Sequence, residues 1–248
     1  LSLLKQLKKY TKLKKIVFSG GIFQNVSLNN SILESGIFEH VYFPMASADS
    51  GLSLGAALFI ENKYKKRKRK TLLTPLLGPS FSDIEIKKLL DQSRIKYVKD
   101  NHIEKTVAKL INDGKTMGWF QGRAEYGPRS LGSRSILADP RKFESKSRIN
   151  QLLKKRDWFM PYAPSILEEY LDEFVSHKNT SPYMQIAFKV KDGKKDSIPA
   201  AVHVDGTSRI HTVDKNVNPK YWNLINEFRL LTELPILLNT SFNRHQIP

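Results

Sequence analysis

The stretch over residues 118–140 constrains the fold of this chain most strongly. It reads GWFQGRAEYGPRSLGSRSILADP and places Arg123, Arg129 and Arg134 at near-regular spacing among glycines. Glycine lets a backbone come close to a ligand, and the arginine fork pairs with planar oxyanions through charge-assisted hydrogen bonds. The stretch therefore predicts a loop that holds a phosphate or a carboxylate-like group, although surface arginines in a glycine-rich connection give the same composition.

Strand and helix patterns alternate around this loop, which predicts an α/β domain rather than a helical bundle. The apolar residues 116–120 have the pattern of a strand that leads directly into the loop. The other predicted elements are helices over residues 27–35, 52–60, 83–90, 103–111 and 165–175, helices that start at Pro140 and Pro219, strands over 15–18, 40–44, 95–98, 183–190 and 236–238, and a hairpin around the turn at 205–206.

Two strand-to-helix turns near the start of the chain have ligand-binding chemistry. The first contains Gly20 and Gly21, which can bring a phosphate to a helix, and Asn25 follows at a distance suited to a ligand hydroxyl or phosphate; a plain tight turn is the alternative. The second contains Asp49, whose ordinary role in such a place is that of a helix N-cap. A lone carboxylate does not hold a catalytic metal, so a metal role for Asp49 needs further ligands.

Polar and basic side chains also follow elements of the second half of the chain. Ser241 and Asn243 come directly after a predicted buried strand, where ligand contacts are common in α/β sheets. Lys154 lies near the end of the helix that starts at Pro140, and its charge suits the helix dipole as well as an anion. Arg209 and His203 are separated by an even number of residues and can share one strand face, where a lone histidine is usually structural.

The net charge of +17 is concentrated in two short runs, with six lysines over residues 5–15 and seven basic residues over 63–70. Such runs are usually solvated faces or linkers, so we expect no nucleic-acid partner. The sequence contains no cysteine, which excludes disulfides, zinc-thiolate sites and a cysteine nucleophile. No apolar run approaches the ~18 residues that span a membrane. We therefore expect a cytoplasmic protein without a membrane partner.

Six motifs resemble one enzyme family in order and spacing. They are FSGGIFQN, SADSGLSLGAAL, GRAEYGPRSLGSRSILADPR, RINQLLKKRDWFMPYAPSIL, IPAAVHVDGTSRIHTV and LPILLNTSFN. Together they resemble the O-carbamoyltransferase family of nodulation and antibiotic biosynthesis, the NodU/CmcH type. The resemblance implies the C-terminal part of an actin-like (ASKHA) carbamoyltransferase domain over residues 1–62, a basic linker over 63–79, and a YrdC-like carbamoyltransferase C-terminal domain with a twisted mixed sheet over 80–248.

The resemblance also implies roles for the residues singled out above. Arg129, Lys154 and Arg209 are the expected catalytic contacts to carbamoyl phosphate and ATP. The expected cofactor-binding residues are Gly20, Gly21, Asn25, Arg123, Arg134, Ser241 and Asn243. Asp49 matches a metal ligand, with iron as the expected catalytic metal and magnesium accompanying ATP. The family's pair of histidine ligands is absent from this sequence, and Met160 stands where the family pattern has an arginine.

The function that the resemblance implies is ATP-dependent O-carbamoyl transfer through carbamoyl adenylate to the hydroxyl of a small-molecule acceptor. The sequence opens inside an amphipathic helix pattern without a cap, so we expect a piece of a longer protein. Transfer should then need the missing N-terminal domain or a separate subunit, and a homodimer stays open. The alternatives are an RNA-binding or non-catalytic YrdC-like module and an inactive remnant of a split gene.

Overall fold

The computed structural model describes residues 1–65, 74–155, 157, 162–176 and 179–243. Most of the second basic run, Arg156 and Met160 therefore lie outside the described residues. In the part that is described, no helix combines the length and the apolar character needed to cross a membrane.

The described residues form helices and short strands in alternation. The α-helices are α1 (Ser2–Thr11), α2 (Val26–Glu34), α3 (Gly51–Lys65), α4 (Asp83–Gln92), α5 (Ile103–Asn112), α6 (Phe143–Arg148), α7 (Leu171–Phe174), α8 (Asp192–Lys195) and α9 (Pro219–Thr232). The strands are β1 (Lys15–Val17), β2 (His40–Tyr42), β3 (Met117–Phe120), β4 (Arg134–Ala138), β5 (Ala163–Leu167), β6 (Phe188–Lys189), β7 (Thr207–Ser208), β8 (His211–Val213) and β9 (Ile236–Ser241).

A five-stranded sheet in the order β3-β4-β9-β5-β8 is the centre of the fold. β5 and β8 run parallel, whereas the other neighbouring pairs are antiparallel, so the sheet is mixed. Helices α5 and α9 pack against each other and against this sheet, and both contribute apolar side chains to its main core. The predicted α/β fold with a mixed sheet is confirmed.

Sequence signals that act locally are confirmed in the elements around this sheet. Ser82 and Glu85 form a capping box at the start of α4, and the Asn218 side chain accepts a hydrogen bond from the Tyr221 backbone N–H at the start of α9. The strand predicted before the arginine loop, which is residues 121–133 between β3 and β4, is β3 itself. The strand predicted over residues 236–238 is the first half of β9. Because these caps depend on residues only three apart in sequence, they are readable without the fold.

The first 65 residues form a smaller unit around a two-stranded parallel sheet of β1 and β2. Its core is made by Phe18, Ile32 and Phe43, with the Phe18 and Phe43 rings stacked at 5.5 Å between centroids. The prediction that residues 15–18 form a buried strand is wrong in part, because Lys15 and Val17 of β1 are exposed. Helices α1 and α3 bury no residue at all.

Two predicted elements differ from the structure because tertiary contacts determine them. Residues 95–98 form no strand; α4 ends through the left-handed Arg94, and Val98 is 91% exposed, without a neighbouring strand to pair with. No helix starts at Pro140. Asp139 is buried, and its carboxylate pairs with the Arg141 guanidinium at 2.6 Å and accepts the Arg141 backbone N–H at 2.9 Å. The helix begins only at Phe143.

The second half of the chain contains the other differences. The helix predicted over residues 165–175 is wrong at its start, because residues 165–167 belong to strand β5, which is completely buried between β9 and β8. A 3₁₀ turn over Glu168–Tyr170 and α7 follow, so the rest of the prediction is helical. The strand predicted over 183–190 shortens to β6. The turn at 205–206 exists, but β7 pairs with β6 and β8 pairs with β5, so the predicted hairpin is wrong.

Candidate functional site

Three predicted site residues meet at the C-terminal end of β9. Lys154 is only 3% exposed. Its ammonium donates to the backbone oxygens of Ser241 and Asn243, both at 2.5 Å, to Asn243 Oδ1 at 2.9 Å and to Ser241 Oγ at 3.1 Å. An ammonium has three protons, so these four acceptors share them. Lys154 thus places a buried positive charge at the end of β9 and holds the residues at that strand end in position.

Arg129 is half-buried in the loop that precedes β4. Burial lowers the pKa of its guanidinium, and no hydrogen bond or ion pair to it occurs among residues 1–65, 74–155, 162–176 and 179–243. A desolvated cation is costly unless an anion pairs with it. The guanidinium is therefore well suited to receive an anionic ligand.

A buried chain of polar side chains supports this loop across four strands. Ser130 Oγ lies 2.6 Å from Ser135 Oγ on β4, and Asn239 on β9 donates to the Ser130 carbonyl at 3.0 Å. Asn239 also donates to Ser165 Oγ on β5 at 2.9 Å, and Ser165 Oγ lies 2.9 Å from His211 Nδ1 on β8. Sequence reasoning missed this network as a unit. Its only signal is a polar residue inside each apolar strand.

The network ties Arg129 to the strand end that carries Lys154. Asn239 holds the residue that follows Arg129 and lies two positions before Ser241. The loop and the Lys154 cluster therefore lie at the same end of β9. The Phe242 N–H also donates to the Arg134 carbonyl at 3.2 Å, which joins the end of the loop to the same place.

The guanidinium groups of Arg123 and Arg134 donate to backbone carbonyls, those of Arg134 mainly in the loop and those of Arg123 in the segment before α4. Arg123 donates to the carbonyls of Leu77 and Gly78 at 2.6 and 2.9 Å. Arg134 donates to the Gln121 carbonyl at 2.7 Å, and its guanidinium carbon lies 3.5 Å from the centre of the Phe120 ring. Both arginines fix the loop conformation in this structure, so any ligand contact has to compete with these bonds.

Glu125 is an internal anion of the loop that sequence reasoning missed. One of its carboxylate oxygens accepts hydrogen bonds from the backbone N–H groups of Ser133, Leu131 and Arg134 at 2.6, 2.8 and 3.1 Å. Successive N–H groups of this kind form an anion-binding concavity. The carboxylate therefore stabilises the turn that carries Arg129.

Arg209 follows β7 and is half-buried. It lies close to His203, because its positive charge and that of Lys146 on α6 both act to lower the pKa of that imidazole. Lys146 belongs to the same helical segment that ends in Lys154, since a π-helical turn over Ile149–Lys154 follows α6. His203 thus lies near both Arg209 and the helical segment that ends in Lys154.

The predicted residues of the first unit surround two neighbouring turns. The N–H of Gly20, in the left-handed region at φ 121°, donates to the Ser47 carbonyl at 2.6 Å. Gly21 begins a 3₁₀ turn over Gly21–Gln24. The Asn25 side chain accepts from the first N–H groups of α2, at 3.0 and 3.1 Å, and therefore acts as its N-cap.

Asp49 is exposed at the turn before α3. Where the chain is described, no three His, Cys, Asp or Glu residues come together as a potential metal site. The tip of the arginine loop nevertheless reaches this turn, because Tyr126 Oη hydrogen-bonds Ser53 Oγ at 2.8 Å and also the Ser50 carbonyl. Asp49 therefore supplies one oxygen donor beside the loop, and by itself it does not fit a catalytic metal.

His211 gives a pH prediction. Burial lowers its pKa from 6.5 to about 3, so the folded protein keeps the imidazole neutral. Between pH 6.5 and 3 the unfolded chain binds a proton that the folded chain does not, so acid destabilises the fold. We expect the wild type to lose about 2 kcal/mol more unfolding free energy than His211→Asn between pH 7 and pH 5. Urea denaturation at both pH values measures this difference, and parallel losses in the two proteins would contradict it.

Comparison with known proteins identifies relatives of both parts of the chain. Residues 1–58 match the family model for the carbamoyltransferase N-terminus, and residues 108–248 match that for the carbamoyltransferase C-terminus. The chain is 40% identical over 245 residues to the nodulation protein NolNO of Sinorhizobium fredii, covering 96% of this chain and 36% of that protein. It is 38% identical to the nodulation protein NolO of Bradyrhizobium diazoefficiens, and the match covers 99% of this chain and 46% of that protein. It is 32% identical to nodulation protein U of Rhizobium fredii, where the match covers 94% of this chain and 38% of that protein. The chain thus spans less than half the length of these curated relatives.

Proposed function

This chain belongs to the carbamoyltransferase family, and from that premise we propose that it binds carbamoyl phosphate and ATP and forms carbamoyl adenylate. The observation that carries the proposal is Arg129, a half-buried guanidinium without an anion among the described residues, at the same strand end as the buried ammonium of Lys154. Two desolvated cations at one edge of a sheet favour a multiply charged anion.

The proposed reaction consumes carbamoyl phosphate, ATP and water and releases carbamoyl adenylate, phosphate and pyrophosphate. Water first hydrolyses the carbamoyl–phosphate bond and leaves carbamate and phosphate. A carbamate oxygen then becomes bonded to the α-phosphorus of ATP as the bond from that phosphorus to pyrophosphate breaks. Charge accumulates on phosphate oxygens throughout, so fixed cations that hold the groups in line supply most of the catalysis. No side chain has to form a covalent intermediate.

Each residue of the cluster has a distinct part in this proposal. Arg129 and Arg209 pair with phosphate oxygens of the two substrates. Lys154 contributes its charge and holds Ser241 and Asn243, whose side chains offer hydrogen bonds beside the phosphates. Arg123 and Arg134 keep the loop in the conformation that presents Arg129.

Carbamoyl transfer to an acceptor hydroxyl is a proposal for the longer protein, acting in the cytoplasm. Gly20, Gly21 and Asn25 are proposed to line its nucleotide site. Asp49 would join metal ligands supplied by an upstream domain or a separate subunit, and such a metal polarises bound oxygen as a Lewis acid. The chain alone is therefore expected to make the adenylate without passing the carbamoyl group on.

Pyrophosphate release from ATP tests the proposal. We expect release that depends on carbamoyl phosphate, and a decrease of about ten- to hundredfold in Arg129→Ala, because one charge-assisted contact to the substrate is lost. Lys88→Ala, which removes an exposed cation from α4, is the control and should behave like the wild type. Release that is independent of carbamoyl phosphate, or equal in Arg129→Ala and wild type, would contradict the proposal.

A further inference from the structure

His203 is held in one tautomer by a hydrogen-bond chain that the proposed chemistry leaves unused. The Thr207 hydroxyl lies 2.7 Å from Asp205 Oδ1, and the Thr207 N–H donates to the same oxygen at 2.9 Å. The hydrogen bonds from Thr207 lower the pKa of Asp205, so this carboxylate is ionised and accepts the hydroxyl proton. The Thr207 oxygen then accepts from His203 Nδ1 at 3.0 Å, which places the imidazole proton on Nδ1.

The other ring nitrogen of His203 carries a lone pair. His203 Nε2 is inaccessible to solvent and has no hydrogen-bond partner within the described parts of the chain. A buried acceptor left without a donor costs about 1–3 kcal/mol, and native proteins keep few such atoms unless they serve a function. Nε2 is therefore suited to accept an N–H or O–H of a ligand that displaces the atoms covering it.

The surroundings of the imidazole keep it an acceptor. Burial lowers the pKa of His203, and the positive charges of Arg209 and Lys146 lower it further, against the opposite influence of Asp205. A neutral Nε2 near these cations suits a ligand with two kinds of group. Its negative oxygens would pair with the cations, and its hydrogen-bond donor would bind the imidazole. Carbamoyl phosphate has both groups, since its phosphate is anionic and its amide carries two N–H bonds.

We propose that His203 Nε2 accepts a hydrogen bond from the carbamoyl amide and thereby selects carbamoyl phosphate against other acyl phosphates. This inference rests on the proposed function. Acetyl phosphate has the same charge and nearly the same shape, but a methyl group replaces the amide. The methyl group leaves Nε2 without a donor, so the site rejects it although the phosphate contacts are the same.

Calorimetric titration of the protein with carbamoyl phosphate and with acetyl phosphate tests this selection. The wild type is expected to bind carbamoyl phosphate about ten- to hundredfold more tightly than acetyl phosphate, because one buried acceptor is satisfied by only one of the two ligands. His203→Phe should bind both with similar affinity. His40→Phe, which changes an exposed histidine on β2, is the matched control and should retain the wild-type preference.

A second variant separates selection from folding. Thr207→Val keeps His203 but removes the hydroxyl that fixes its tautomer, so we expect a partial loss of the preference in a protein that still unfolds in one cooperative transition. The inference is overturned if His203→Phe retains the preference, or if the wild type binds both acyl phosphates equally. A wild type that binds neither acyl phosphate would overturn the proposed function itself.

Discussion

Replacing Gly132 by alanine is expected to lower the free energy of unfolding by about 3 kcal/mol or more, which is among the largest effects of a one-carbon change in this chain. Gly132 has a φ of +92°, and a Cβ there would lie 2.1 Å from Cδ1 of Tyr221. The Tyr221 ring is completely buried on α9, so it has no free space into which to move. The loop has to shift away from the helix instead. Urea denaturation measures the loss.

Gly122→Ala is the matched control for this substitution. Gly122 also has a positive φ, of +47°, but nothing lies within 4 Å of the position of an added Cβ. Its substitution should therefore cost only the backbone strain of about 1 kcal/mol. Equal losses in the two variants would mean that the contact with Tyr221 does not determine the position of the loop.

Lys154→Met should weaken carbamoyl phosphate binding by about hundredfold or more. The variant retains most of the side-chain length but removes the buried ammonium that binds Ser241 and Asn243. Both the charge opposite the phosphate and the fixed conformation after β9 are lost, and removing one partner of a buried, charged hydrogen-bond cluster typically costs 2–5 kcal/mol of binding energy. Calorimetric titration measures the affinity.

Lys155→Met provides the comparison for Lys154→Met. Lys155 is the next residue in the chain and is exposed, so its replacement removes the same formal charge without touching the cluster. We expect wild-type affinity in this variant. An affinity of Lys154→Met within about threefold of Lys155→Met, with both proteins folded, would show that the buried ammonium serves the fold alone.

Whether a feature of this structure can be predicted from the sequence depends on how far apart along the chain the residues that determine it lie. The caps at Ser82 and Asn218 and the strand before the arginine loop depend on neighbouring residues, and each was predicted correctly. The helix prediction for residues 165–167 was wrong, because a short apolar run suits a buried strand and a buried helix equally until its neighbours β8 and β9 are known.

The candidate site likewise contains residues that the sequence identified and residues that it did not. Motif resemblance selected Lys154, Ser241 and Asn243, and the structure brings these three together. The network from Ser130 to His211 was missed, because it joins residues from four strands whose order in the sheet no local pattern specifies. The role of Glu125 was missed for a different reason: its partners are backbone N–H groups, which every sequence contains.

The arginine loop contacts two separate parts of the molecule. Arg129 stands at the end of β9, whereas Tyr126, three residues earlier, is bonded to the turn that carries Asp49. An anion that displaced the loop at Arg129 would therefore also change the contact of Tyr126 with the turn that carries Asp49, and a ligand that ordered this turn would restrain the loop in return. Linkage of this kind is reciprocal in free energy. The proposed anion site at Arg129 and the proposed ligand site at Asp49 would thus be energetically coupled through the loop.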